Sequence, residues 1–178
     1  MTRNILAGLF VLAATTAQAG DAGKLRTELE PMAFLVGSCW QGDFPGGVET
    51  DIHCFDAVYD GVHIRDRHAV SGGAKLYRGE TMYSWNGDAD TISFVYWNSL
   101  GGVSTGSAKP NAGTFVFPNE TYKGPEGETI IVSAFWENIS ADGYDQLSVE
   151  TYPNGQKRER RVHYDRKPFT DDPATALE

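Results

Sequence analysis

Positive charge is scarce in this sequence. Lysine and arginine number 15 against 24 aspartates and glutamates, which gives a formal net charge of −9. The main basic cluster spans residues 157–161, and Glu159 interrupts it. Strand alternation would also divide this cluster between two faces. Recognition of a phosphate backbone needs a concentrated positive surface. The composition therefore argues against a nucleic-acid-binding protein.

Long apolar runs are also missing after residue 19. Residues 1–19 combine a short basic start, an apolar run and a small-x-small site ending at Ala19. This pattern predicts a secretory signal peptide cleaved near Ala19 rather than a membrane span. We therefore expect an exported protein, periplasmic or secreted, with no transmembrane segment.

The sequence also lacks a regular alternation of strands with helices. The absence of this pattern disfavours a parallel sheet. The apolar positions of residues 20–36 predict a short helical lead-in that Pro31 interrupts. Residues 37–166 then read as about ten short strands separated by turn residues. Short connections favour an all-β, antiparallel up-and-down barrel of about ten strands with a short N-terminal helix. Residues 167–178 are predicted to form a flexible tail.

Glycine-containing turns predict which residues face one another in the first hairpins. Turns at 46–47 and 60–61 place Cys39 opposite Cys54, and His53 opposite both Trp40 and His68. In an exported chain this predicts a Cys39–Cys54 disulfide. The turn at 60–61 also places Asp56 opposite Arg65. A turn at 72–73 would place Arg65 opposite Glu80, Arg67 opposite Arg78 and His68 opposite Tyr77.

The charged residues decide which face of the strands is inside. Asp56, Arg65 and Glu80 form a ladder that belongs in water, so the other face should point inward. That face carries His53, Asp66, His68, Tyr77, Tyr83, Trp85, Phe94 and Tyr96. If the turn at Gly101 keeps the same alternation, Val103, Thr105 and Ser107 join it. Apolar walls with a few polar groups are typical of a small-molecule site, although a satisfied internal network is an alternative.

Two metal hypotheses remain open on the sequence. His53, Asp66 and His68 could together ligate zinc, which requires at least three protein ligands. His163, in the last predicted strand, could ligate a haem iron.

Residues 34–42, with the order Phe-Leu-Val-Gly-Ser-Cys-Trp-Gln-Gly, resemble the opening of lipocalin-like (calycin) barrels. The turn at 59–61 and the ending at 164–166 look like those of exported bacterial members of that group. The resemblance implies that a short helix and Trp40 close one barrel end. Related ten-stranded nitrobindin-type barrels hold haem through a histidine near the C-terminus, and His163 lies in that region.

We therefore expect a barrel that binds a small, partly apolar ligand. A metal- or haem-dependent protein and a ligand-free structural module are the alternatives. We expect a binding protein more than an enzyme, and the oligomeric state stays open.

Overall fold

The computed structural model describes residues 24–177, which form a closed ten-stranded antiparallel barrel. A 3₁₀ helix, Thr27–Met32, precedes the strands, and a second, Pro173–Ala176, follows them. The strands are β1 Ser38–Asp43, β2 Thr50–Val58, β3 His63–Ser71, β4 Tyr77–Asn86, β5 Thr91–Asn98, β6 Val103–Asn111, β7 Thr114–Lys123, β8 Thr129–Glu137, β9 Gly143–Thr151 and β10 Lys157–Pro168.

Each strand pairs with its neighbours in the chain, and β1 pairs with β10 to close the ring. The predicted all-β up-and-down barrel is therefore confirmed. The predicted signal peptide, residues 1–19, lies outside the described residues. Within residues 24–177, no helix has the length and apolar character that crossing a bilayer requires.

The registers of the first two hairpins are as predicted. Cys39 pairs with Cys54, and His53 pairs with both Trp40 and His68. The Cys39–Cys54 disulfide is present on the outer face of the barrel. Asp56 pairs with Arg65 and accepts hydrogen bonds from its guanidinium at 2.8 and 3.2 Å.

The predicted register of the third hairpin is wrong by two residues. Its loop spans residues 72–76 and Tyr77 pairs with Val70, so Arg67 rather than Arg65 faces Glu80. His68 pairs with Gly79. A shift of two preserves the side-chain alternation, so the predicted inward face survives the error.

The prediction for β6 is wrong, because the preceding loop reverses the alternation. The amide of Asn98 donates to the carbonyl of Gly102 across residues 99–101, an odd number of loop residues. Val103 is consequently 38% exposed, whereas Ser104 is 2% exposed. Ser104, Gly106 and Ala108 face inward in place of Val103, Thr105 and Ser107.

The N-terminal 3₁₀ helix closes one end of the barrel. Its Leu29 and Met32 are fully buried against the core. Trp40 is also fully buried, and its indole donates to the carbonyl of Leu35 at 3.2 Å. The guanidinium of Arg166 stacks over the Trp40 ring at 4.9 Å and donates to the carbonyl of Phe34 at 2.7 Å. Trp40 is thus part of the floor of the barrel.

The C-terminal residues pack on the outside of β2 and β3. Ala174 and Leu177 cover a small apolar cluster of Cys39, Ile52, Cys54 and Ala69. Arg78 forms an ion pair with Asp172 at 2.7 Å. Strand β10 extends two residues beyond the predicted barrel boundary at 166. The mobility of residues 167–178 in solution stays a prediction.

Candidate functional site

A cavity of about 520 Å³ occupies the barrel half that lies opposite the N-terminal 3₁₀ helix. The loops at this end span residues 44–49, 72–76, 99–102, 124–128 and 152–156. Strands β2 to β5 supply one wall of the cavity, and β7 to β10 supply the other. The lining residues include Asp51, His53, Asp66, His68, Tyr77, Tyr83, Phe94, Tyr96, Phe117, Glu120, Val132, Ala134, Trp136, Gln146, Glu150 and Arg160.

The imidazole of His53 lies between two buried carboxylates. Its Nδ1 is 2.9 Å from Asp66 Oδ2, and its Nε2 is 3.0 Å from Asp51 Oδ2. Both aspartates are almost completely buried. Because a carboxylate can only accept, both ring nitrogens of His53 carry protons in this arrangement. The result is an imidazolium bonded at each end to a buried anion.

A second hydrogen-bonded chain runs from Asp51 towards the open end. His68 Nδ1 is 3.2 Å from Asp51 Oδ1, and His68 Nε2 is 3.2 Å from the Tyr96 hydroxyl. The Tyr96 hydroxyl in turn bonds to that of Tyr77. Tyr164 donates a further hydrogen bond to Asp51 Oδ2 at 2.9 Å. Asp51 therefore accepts from three side chains and joins the two histidines.

Burial and charge act in opposite directions on these groups. Burial disfavours the imidazolium of His53, but Asp51 and Asp66 outweigh it and hold the His53 pKa well above its usual range. Burial likewise disfavours the Asp51 carboxylate. Here the charges and hydrogen bonds of His53 and His68 win, so the Asp51 pKa is lowered. A charged His53–Asp51 pair is thus favoured inside the barrel near neutral pH.

An aromatic and apolar patch, built from β5, β7 and β8, lies across the cavity from the histidines. The rings of Phe117 and Trp136 lie 4.5 Å apart, and Phe94 lies 6.1 Å from Phe117. Val132 and Ala134 complete this patch. We call these five residues the apolar wall, and the histidines with their hydrogen-bond partners the polar wall.

Glu120 and Glu150 are acidic residues on the β7 to β10 side of the cavity, and Glu120 lies beside the apolar wall. The register of β7 shifts between Phe117 and Glu120, where Pro118 cannot donate a ladder hydrogen bond. The shift turns both Phe117 and Glu120 inward. Burial raises the pKa of Glu120 to about 7, although the hydrogen bond from Ser104 (3.0 Å) opposes the shift.

Glycine makes room for the polar chain at one position. A Cβ on Gly79 would overlap His68 Nε2 and the Tyr96 ring. Gly79 has no positive φ, so its role here is the missing side chain rather than its backbone freedom.

Most of the residues predicted for the site lie together. His53, Asp66, His68, Tyr77, Tyr83, Phe94 and Tyr96 all line the cavity. Trp85 also faces inward, but it packs against the core at the closed end and does not line the cavity.

Asp51, Glu120 and Trp136 are lining residues that the sequence reasoning missed. Asp51 precedes His53 by two residues on β2, so strand alternation alone could have placed it on the inner face. The inward position of Glu120 depends on the bulge at 118–119. Trp136 reaches the site only through closure of the barrel.

Two sequence patterns do not form catalytic or haem sites. Residues 102–106 match the Gly-x-Ser-x-Gly pattern of hydrolases, but Ser104 lies within strand β6 and bonds to Glu120, not to a histidine. The motif needs a strand-to-helix turn to expose its serine. His163 points outward, with its side chain 59% exposed beside Asp145 and Asp165. This charged surface does not offer a haem an apolar pocket.

Three potential metal ligands, Asp51, His53 and His68, have ligand atoms within 4.8 Å of one another. Asp66, the third ligand expected from the sequence, instead holds the far side of the His53 ring. Comparison of the chain with protein-family models and with curated proteins found no match to either.

Proposed function

We propose that this chain is an exported lipocalin-like protein that binds a small, partly apolar molecule inside its barrel. The observation that carries the proposal is the cavity of about 520 Å³ with one aromatic and one hydrogen-bonding wall. Small-molecule sites are usually concave, mostly apolar and about 300–1,000 Å³ in volume, with a few placed polar groups.

The apolar wall supports a ligand with a flat or hydrocarbon part. Phe94, Phe117 and Trp136 offer ring faces and edges, and the Trp136 indole N–H is already bonded to Gln146 at 2.9 Å. Because that donor is satisfied, a ligand needs no hydrogen-bond acceptor next to Trp136. Burial of apolar surface is then the main source of affinity on this side.

The polar wall supports a ligand with a hydroxyl, carbonyl or carboxylate group. Both ring nitrogens of His53 are engaged in hydrogen bonds. The polar groups open to a ligand are therefore the hydroxyls of Tyr77 and Tyr96, at the end of the hydrogen-bonded series of side chains. Arg160 lies on the opposite side of the mouth, with its guanidinium 4.1 Å from the centre of the Phe44 ring. A molecule with one apolar and one polar end would match both walls.

Export and family membership are supported by separate features. The disulfide Cys39–Cys54 suits an oxidising compartment. The signal-like pattern of residues 1–19 and the lipocalin-like opening at 34–42 point to the same location and group.

The direct test is native mass spectrometry of the protein purified from its own source. We expect an added mass that denaturation releases. The proposal would be contradicted by bare protein mass together with no binding of the fluorescent apolar probe N-phenyl-1-naphthylamine.

A matched pair of variants locates the binding. Val132 lines the cavity, and its neighbour Ile131 has the opposite side-chain direction on β8. Val132→Trp should fill the cavity and abolish probe binding, whereas Ile131→Trp should leave it intact. His68→Ala should lower the affinity of the protein for the ligand that mass spectrometry identifies. Equal probe binding by both tryptophan variants would place the site elsewhere.

A further inference from the structure

The alignment of β2 and β3 brings three metal-ligating side chains to one place on the cavity wall. His53 and His68 are direct cross-strand partners, and Asp51 lies two residues from His53 on the same face. The two imidazole rings stack at 4.6 Å with 15° between their planes. One ligand atom from each of Asp51, His53 and His68 consequently lies within 4.8 Å of the other two. The ring nitrogens that face Asp51 are His53 Nε2 and His68 Nδ1.

The nitrogen of each ring that faces away from this point already has a partner. His53 Nδ1 is held by Asp66 at 2.9 Å, and His68 Nε2 is held by the Tyr96 hydroxyl at 3.2 Å. Histidines that ligate metals nearly always donate their other N–H to a carboxylate, carbonyl or similar group, which fixes the ring. Tyr164 orients Asp51 in the same way, through its bond to Oδ2. The outer shell of a metal site is therefore in place around the three ligands.

Charge balance favours a divalent cation at this point. Asp51 and Asp66 contribute two negative charges in a buried environment. One dication with two neutral imidazoles brings the group to zero net charge, which lowers the cost of burying two carboxylates.

We propose that Asp51, His53 and His68 form a divalent-metal site of the zinc type, with its fourth coordination position facing the cavity. Zinc takes nitrogen and carboxylate ligands, and three protein ligands plus an open position are typical of its reactive sites. All three residues line the cavity, so water or a ligand oxygen can reach that position. The site does not depend on whether the cavity also binds an organic molecule.

Binding of the metal ion should displace a defined number of protons from the two imidazoles. The hydrogen bonds to carboxylate oxygens place N–H protons on both ring nitrogens of His53 and on His68 Nδ1, three in all. In the bound form His53 keeps the proton towards Asp66, and His68 carries one on Nε2, towards Tyr96. Two N–H protons remain, so one proton passes to solvent for each metal ion bound.

The test titrates chelator-treated protein with Co²⁺ and follows the ligand-field bands of four-coordinate cobalt. Wild type should bind one Co²⁺ per chain, and Zn²⁺ should displace it. Asp51→Asn and His68→Gln should each weaken binding by about tenfold or more. His163→Gln is the control, because it removes an imidazole that meets carboxylates on the outer surface. Binding that survives Asp51→Asn and His68→Gln, or that His163→Gln abolishes, would overturn the proposal.

A measurement on wild type decides the matter even if those variants fail to fold. Zn²⁺ added to weakly buffered metal-free protein should release about one proton per ion and raise the midpoint of thermal unfolding. No proton release and no thermal shift would show that the three residues hold protons only.

Discussion

The two ends of the barrel are built by the same strands but treat their inward side chains differently. From the closed end to the open end, β2 presents Phe55, His53 and Asp51. Over the same distance β5 presents Ile92, Phe94 and Tyr96. At the closed end these side chains pack against the N-terminal 3₁₀ helix, whereas at the open end they bond to each other around a cavity.

This difference between the two ends shows that the cavity begins where the inward-facing side chains change from apolar to polar. Apolar side chains are stabilised by filling space, so the closed end is packed. Histidine, aspartate and tyrosine are stabilised by fixed partners, and those partners hold the open-end side chains against the wall. Substitutions at the two ends should therefore fail in different ways.

The largest effect is expected at the closed end, from Trp40→Ala. Trp40 is fully buried, and its loss removes both ring packing and the bond to Leu35. We expect a loss of about 4 kcal/mol in the free energy of unfolding, independent of pH. Urea denaturation measures it, with Trp97→Ala on the outer surface as control. A loss below about 1 kcal/mol would mean that the floor is not a packed region.

At the open end, His53→Gln should cost about 3 kcal/mol, because it leaves two buried carboxylates without their cation. The raised pKa of His53 makes its stabilisation fully present below about pH 6.5 and lost as the pH rises through the folded-state value. The lowered pKa of Asp51 makes its contribution present above about pH 4 and lost as the pH falls.

The difference between wild type and His53→Gln should consequently be greatest between about pH 4 and 6.5. Urea denaturation across this range and above it tests the prediction. His63→Gln provides the matched control near the closed end, since His63 bonds to the Ser84 hydroxyl at 2.8 Å and packs against the Tyr59 ring rather than between carboxylates. An equal, pH-independent cost for both variants would abolish the contrast between the ends.

Glu120→Gln should stabilise the protein at alkaline pH. Burial raises the Glu120 pKa to about 7, so the stability of wild type falls as the pH rises from about 4.5 through 7. Glutamine stays neutral, and we expect a gain of about 1–3 kcal/mol at pH 8 but little at pH 5. Urea denaturation at both pH values measures it, with exposed Glu126→Gln as control. No gain at pH 8 would mean that Glu120 reaches water.

The sequence predicts the fold, the polar wall except Asp51, and Phe94, but not the rest of the apolar wall. The residues at 46–47 and 60–61 centre their loops, so the pairing of Cys39, His53 and His68 follows from the turns alone. The errors arise where the pairing is not centred on the assumed glycine pair, as in the loops at 72–76 and 99–101. Pro118 and the bulge beside it are local, yet their effect on Glu120 appears only once β7 is paired. Trp136 lies across the cavity from the histidines only because the barrel closes, which no single hairpin reveals.

Gly79→Ala is expected to have the smallest effect on stability. It should nevertheless disrupt the hydrogen bond between His68 and Tyr96. The added methyl group would overlap His68 Nε2 and Tyr96, so His68 must turn away from the tyrosine. The lower backbone entropy of the unfolded alanine variant partly offsets this strain, and the net change should stay below about 1 kcal/mol. The ¹⁵N resonance of His68 Nε2 should nevertheless move, because its hydrogen bond is lost. Gly87→Ala, whose methyl group would meet only the Trp85 indole at 3.7 Å, is the control at the closed end and should leave that resonance unchanged. If Gly79→Ala also leaves it unchanged, the His68–Tyr96 bond does not hold the open-end wall, and the contrast with the packed end must rest on Asp51 and His53 alone.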